Sequence, residues 1–311
     1  MNFKIWLLFF ISFPLLLIHQ VAHAETPSSL ISYWNFDESN TGTATALDQI
    51  DGNDGFFGGL ATRTNGLLGV GAASFTDTNG DRVSTGAGTG SNYSVTTGIT
   101  VEALILPNWS GAAASYAHLF RKDDGGNRIL FSFQNDSNNG SAVPPVASGV
   151  VLSFGLNVDG VYSELDMPLD GADGRPTLAD LKDGNTHYAV ATYDSASGDK
   201  SIYIDGTLRF STNLGVGNLI ASGGGALALI GSGWSAGVPN SPFNGVLDEV
   251  AFYNAALPEN VISTHYSNIM SGVNYFTSPL PATPVPTMSV WGLGILAGLL
   301  GLMGFVRRRK A

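Results

Sequence analysis

The chain has 311 residues, 14 Lys and Arg against 25 Asp and Glu, and no cysteine. Five of the cations, Lys4 and those at positions 307–310, lie at the two ends, so the part between carries nine against 25 acids and a net charge of about −16. Such a surface repels nucleic acid and anionic lipid and suits solubility, cations or neutral partners. A disulfide-stapled scaffold is excluded, and roughly 250 residues between the ends suffice for one large core stabilised by burial or bound metal.

Lys4 supplies a positive start, residues 5–18 are almost wholly apolar, and Ala22-His23-Ala24 offers small residues before Glu25. This is the pattern of a secretory signal peptide over residues 1–24, with Ala22 and Ala24 as the signal-peptidase positions. The chain is therefore expected to be exported.

From Leu30 onward, short alternating apolar runs are separated by turn chemistry. Strands are expected at 31–36, 72–75, 99–105, 118–121, 129–134 and 150–156, with Asp123-Asp124-Gly125-Gly126-Asn127 as a hairpin turn between two of them. The acidic, Gly-rich stretch 48–55 reads as a tight loop in which Asp and Asn side chains bond nearby amides. Asp77-Thr78-Asn79-Gly80-Asp81 opens like a calcium loop but lacks the later acidic ligand, and it reads as a turn.

The clearest pairing is His187-Tyr188-Ala189-Val190-Ala191-Thr192-Tyr193, then a polar turn, then Ser201-Ile202-Tyr203-Ile204-Asp205-Gly206. Both faces of the first of these strands carry packable residues, as in the interior of a sandwich. Two late strands, 227–230 and 245–253, precede a single short helix at 258–267 with Pro258 near its first turn. Pro279, Pro281, Pro284 and Pro286 make an extended spacer, and no internal repeat is evident, so one domain is expected over 25–275 and the spacer over 276–284.

The tail, 285–311, begins Val285-Pro286-Thr287-Met288-Ser289-Val290-Trp291-Gly292 and continues apolar to Val306 before Arg307-Arg308-Arg309-Lys310. The stretch 288–306 nearly crosses a ~30 Å hydrocarbon core as a transmembrane helix, with a basic cytoplasmic stop behind it. Val285, Pro286, Thr287, Met288, Ser289, Trp291 and Gly292 resemble the IPTL-type C-terminal sorting signals, relatives of the signals read by exosortases, with Val for Ile and Met for Leu. That resemblance implies a membrane-embedded sorting protease as partner, and a protein held in the membrane by its C-terminal helix before processing.

The segments Tyr33-Trp34-Asn35-Phe36-Asp37-Glu38, 48–55, 187–193, Tyr203-Ile204-Asp205-Gly206 and 243–257 together resemble the LamG-like, concanavalin A-like jelly-roll modules of secreted bacterial proteins, over about residues 29–270. The resemblance implies an all-β, two-sheet antiparallel sandwich. Trp34, Phe36, Tyr203, Phe252 and Tyr253 are its expected core or sheet-face aromatics. It also implies a structural calcium ion, with Asp37 and Asp248 as ligands; the alternative is that both carboxylates cap turns or accept backbone hydrogen bonds.

For ligand contact the candidates are Trp109 and Trp234, which sit in Gly, Ser and Ala-rich loops where an indole can stack on a sugar; burial in the core is the other reading for each. A glycosidase needs two carboxylates facing one cleft. The pair considered, Asp248-Glu249, should point to opposite faces by strand alternation, which argues against catalysis. His118, His187 and His265 have no ligand-spaced neighbours, so zinc has no support, and no serine sits in a nucleophile elbow. The expected function is a non-catalytic, exported surface or matrix module that recognises carbohydrate or protein; a structural, adhesive role without a specific ligand is the alternative, and hydrolysis comes third.

Overall fold

The computed structural model describes residues 28–276, except 39–44, 86–92, 110–115, 125–126, 137–148, 223 and 236–237. The compact unit spans Ala24–Thr277. The signal-peptidase positions Ala22 and Ala24, the Pro-rich spacer from 277, the sorting motif and the expected membrane helix lie outside the described residues. Among the described residues no helix is long and apolar enough to cross a membrane.

The strands in chain order are β1 (Leu30–Trp34), β2 (Thr45–Ala46), β3 (Gly55–Gly58), β4 (Thr62–Asn65), β5 (Gly71–Thr76), β6 (Arg82–Thr85), β7 (Gly98–Pro107), β8 (Tyr116–Asp124) and β9 (Asn127–Asp136). They continue with β10 (Gly149–Val158), β11 (Val161–Pro168), β12 (His187–Asp194), β13 (Asp199–Ile204), β14 (Thr207–Asn213), β15 (Ala228–Ile230), β16 (Gly233–Ser235), β17 (Val238–Asn240) and β18 (Asn244–Tyr253). Two helices are added, α1 (Leu178–Leu181) and α2 (Glu259–Met270). α1 starts with a capping box in which Thr177 and Asp180 satisfy each other's backbone N–H.

The first sheet runs β14-β13-β12-β7-β18-β5-β4, with β1 also beside β18; the second runs β11-β10-β9-β8-β15-β6-β3-β2. All pairings are antiparallel, and β16 with β17 form a separate hairpin. The expected two-sheet sandwich is what the chain forms. Alternation turns Val101, Ala103 and Ile105 of β7, and Phe131, Phe133, Phe154 and Leu165 of the opposite sheet, into one dry core with Trp34 and Phe252.

The outer face of the first sheet is covered as well. Tyr33, Leu104, Tyr188, Val190 and Tyr253 pack beneath Ile262 of α2 and Tyr275. This explains the doubly apolar pattern of β12: its alternate residues belong to two different cores. Of the five expected aromatics, Trp34, Phe36 and Phe252 lie in the inner core, and Tyr203 and Tyr253 in the outer one. Phe36 has left the strand, with φ 52°.

Strand β18 contains an irregularity that alternation does not predict. Asp248 pairs with Leu104 and Ala251 with Glu102, so Glu249 and Val250 together face one residue of β7. This is a β-bulge, with Glu249 at φ 50° as the extra residue. It falls where the other edge of β18 changes partner from β5 to β1.

Candidate functional site: a polar pocket on the second sheet

On the face of the second sheet turned away from the core, β8 to β11 present polar side chains in register. His118 pairs with Ser132, Ser132 with Ser153, and Ser153 with Asp166; one step along, Tyr116 pairs with Gln134. All but Tyr116 are at most 2% exposed. Ala117, Phe131, Phe133, Phe154 and Leu165 occupy the alternate positions in the core, so the period of two that builds the sandwich also lines up this row.

Hydrogen-bonding capacity in the row exceeds what the fold uses. His118 Nδ1, both amide atoms of Gln134, Ser153 Oγ and Arg121 Nε are buried without a partner. Buried polar groups in native proteins are nearly always satisfied, and each exception asks for a water, an ion or a ligand.

The β16–β17 hairpin packs against this face and forms one wall of a cavity of about 250 Å³. Gly233 lies against the His118 ring, and a Cβ there would come within 2.3 Å of it. The lining comprises Tyr116, His118, Arg121, Arg128, Leu130, Glu164, Trp234, Asn240 and Ser241. The Tyr116 and His118 rings stack nearly parallel, 6° apart with centroids at 5.8 Å. Trp234 is held by its Nε1–H, which donates to the Leu227 carbonyl at 3.2 Å.

Charges in the cavity are locally balanced. Arg121 Nη2 donates to Asp123 Oδ2 at 2.6 Å, and Arg128 Nε lies 3.4 Å from Asp123 Oδ1. The Arg128 guanidinium also covers the Tyr162 ring at 4.9 Å, and the Tyr162 hydroxyl donates to Glu164 at 2.6 Å. Burial, with the two arginines adding to it, holds His118 well below the usual imidazole range, so it stands neutral at physiological pH.

Trp109 and Trp234 thus divide. Trp109 is 7% exposed, with its ring edge-on to Phe133 and Phe243 at 5.2 and 5.7 Å, and is a core residue rather than an open stacking platform. Its short loop position gave no sign of these distant partners. Trp234 is half-buried on the cavity wall.

Asp37 and Asp248 both meet one turn, residues 67–71. Asp37 Oδ1 accepts the N–H groups of Val70 and Gly71, at 2.6 and 2.9 Å. Asp248 Oδ2 accepts those of Leu67 and Leu68, at 2.9 and 3.0 Å, while its Oδ1 accepts the Glu249 N–H at 2.8 Å. Two donors on one oxygen occupy both of its lone pairs. Among the described residues no group of three His, Asp or Glu side chains could hold a metal ion. Both carboxylates thus accept backbone hydrogen bonds that tie the turn to the sheet edge. The acidic turn at 77–81 is closed in the same way, with Asp81 Oδ2 accepting the Thr76 N–H and hydroxyl at 2.9 and 2.7 Å.

The expected divergence of Asp248 and Glu249 is corrected by the bulge. Leu247 and Val250 both enter the inner core, so the two acids between them share the outer face. Glu249 accepts from the Tyr33 hydroxyl, and its carbonyl accepts from Tyr275 at 2.6 Å. Both acids are buried and do not line the cavity of the second sheet. A different pair is legible in the sequence: Glu164 and Asp166 alternate along β11, and alternation places both on the outer face beside that cavity.

Residues 77–263 match the family described as the concanavalin A-like lectin/glucanases superfamily, and residues 283–310 match the IPTL-CTERM motif. No curated protein matches the chain by sequence. Among solved structures, the binding domain of Paraclostridial mosquitocidal protein 1 is similar with a TM-score of 0.54 and 11% identity, over 82% of this chain and 56% of that one. A Trypanosoma rangeli sialidase gives 0.52 and 13%, over 80% and 34%. The receptor-binding domain of a botulinum neurotoxin C/D mosaic serotype gives 0.51 and 10%, over 81% and 55%. The matches thus span between a third and rather more than half of those longer chains, and at such identities the likeness extends to the fold alone. On its matched residues, the chain belongs to the concanavalin A-like lectin/glucanases superfamily and carries a C-terminal IPTL-CTERM sorting motif.

Proposed function

We propose that this protein is an exported, non-catalytic binding module that recognises saccharide through the cavity on its second sheet and is placed at the cell surface, or released, through its sorting motif. The observation that carries the reading is the buried, unpartnered Nδ1 of His118 in the cavity lining beside the aromatic wall of Tyr116 and Trp234, with the unpartnered atoms of Gln134 and Ser153 in the adjoining row. Sugars offer hydroxyl groups to such atoms and apolar C–H faces to an indole, and binding sites commonly combine the two. The similar solved chains include a sialidase, a toxin's binding domain and a domain named for receptor binding, which supports a recognition role without naming a ligand.

A glycan array probed with the full-length protein tests the site. Saturable binding should fall by about tenfold or more in Trp234→Ala, whereas Trp109→Phe, a core change, should leave it intact if the variant melts normally. Equal loss in both, or binding unaffected by Trp234, would sink the assignment. The C-terminus of the mature protein, read by mass spectrometry, reports on sorting: an end before Trp291 supports processing by a membrane protease, and an intact 307–310 cluster supports a permanent anchor.

Hydrolysis is the second reading, favoured by Glu164 and Asp166 sharing the face that holds the cavity. It ranks behind binding because Asp166 is wholly buried, and substrate would have to displace what covers it. Turnover of any polysaccharide that disappears in Glu164→Gln would reverse the order.

A further inference from the structure

We infer that the saccharide taken by the second-sheet cavity is uncharged, a neutral glycan rather than a uronate or sulfated one; this rests on the binding reading above. Two arginines at first suggest an anion site, but both already face a carboxylate. Asp123 receives Arg121 at 2.6 Å and Arg128 at 3.4 Å, so one protein carboxylate already engages both guanidiniums that a ligand carboxylate would need. Glu164 places a further negative charge in the lining itself. His118, the remaining basic group, sits in the floor as a neutral imidazole.

Two guanidiniums thus meet two carboxylates, and Asp166 lies two residues beyond Glu164 on the same face. The wider field points the same way, because the exported part carries about −16. A ligand carboxylate would have to break the Arg121–Asp123 pair and enter a negative potential, and like-charge juxtaposition in a recessed site is strongly unfavourable. Apart from Arg121 Nε, the groups left without partners are neutral: His118 Nδ1 in the cavity lining, and Ser153 Oγ and the Gln134 amide in the row adjoining it, between them offer acceptors as well as donors. Sulfates and carboxylates only accept, whereas a hydroxyl can do both.

The inference predicts selectivity that can be read directly. Full-length protein is titrated with neutral oligosaccharides and with their uronate counterparts, at low and at high salt. Neutral ligands should bind with little salt dependence, and uronates should bind at least about tenfold more weakly. In Asp123→Asn, which releases the arginines, uronate binding should rise by about tenfold while neutral binding changes little. Arg128→Gln gives a second handle should Asp123→Asn fail to fold: it should not lower uronate binding relative to neutral binding. Uronates binding more tightly than neutral sugars, with affinity lost at high salt, would overturn this inference and leave the saccharide site standing. Absence of binding by either class would overturn both.

Discussion

Asp248 and Glu249, adjacent in sequence, leave β18 on the same side, because the bulge between Leu247 and Val250 inserts one residue into the alternation. Burial raises both acids, Asp248 to about 8 against its three N–H donors and Glu249 to about 7 against the Tyr33 hydrogen bond. The negative charge of Glu249 adds to the rise at Asp248, and those of Asp37 and Glu102 add to that at Glu249.

A carboxylate with a raised pKa in the folded state keeps a proton that the unfolded chain releases near pH 4. Its stabilising contribution is complete below that pH and is lost as pH rises through about 7 to 8. The melting temperature should fall by about 5 °C or more between about pH 5 and about pH 8, and Glu249→Gln should flatten that slope. A slope identical in wild type and variant would show that Glu249 does not titrate in this range.

Lys200 contributes with the opposite sign. It is fully buried on β13, with Nζ donating to the Ser163 carbonyl at 2.8 Å and lying 5.3 Å from the centre of the Phe154 ring. Burial lowers its pKa to about 7, with Glu164 and Asp166 opposing the fall. The unfolded chain therefore binds the extra proton from about pH 7 up to the ordinary lysine range, and stability rises with pH across that window. Urea midpoints should increase between about pH 7 and about pH 9.5 in the wild type. Lys200→Met should remove the increase and raise stability at neutral pH, since burying an apolar chain there carries no ionisation penalty.

Glu102 fastens the helix to the sheet. From β7 it accepts the hydroxyls of Tyr188 and Tyr253 and faces His265 Nδ1 of α2 at 3.1 Å, while being wholly buried. Glu102→Leu would leave three buried polar groups without their acceptor, at a cost of about 3–5 kcal/mol. Hydrogen exchange should show α2 opening first. Unchanged protection of α2 would assign its docking to Ile262 and Tyr275 alone.

Gly69 tests the role found for Asp37. Its φ is +65°, and a Cβ would stand 2.3 Å from Asp37 Oδ2. Gly69→Ala should cost about 2 kcal/mol or more, from the left-handed backbone and the displaced carboxylate together. A chelator should leave the wild-type melting temperature within about 1 °C; a drop of several degrees would mean that an ion stabilises the fold after all.

The sandwich was legible because its signals are local. Period-two runs such as 129–134 and 187–193, broken by Gly and Asp turns, need only neighbouring residues to declare a strand and its inward face. The strands not expected, among them β3, β6, β11 and β14, are short or carry polar residues on the face turned from the inner core. β11 is the costly omission: reading Ser163-Glu164-Leu165-Asp166 as alternation would have put two acids on one face and identified the second sheet's outer surface as the place to look.

By itself the sequence determined the sorting tag, the two-sheet architecture and the acidity of the part between its ends, because each is written in contiguous composition or spacing. Tertiary structure decided the rest. Whether an indole is core or wall depends on Phe133 and Phe243, far from Trp109 in the chain. The faces of Asp248 and Glu249 depend on a change of neighbouring strand, and the fate of Asp37 on a turn some thirty residues later. Side-chain direction and hydrogen-bond satisfaction are properties of contacts between strands, and only the assembled sheets supply them.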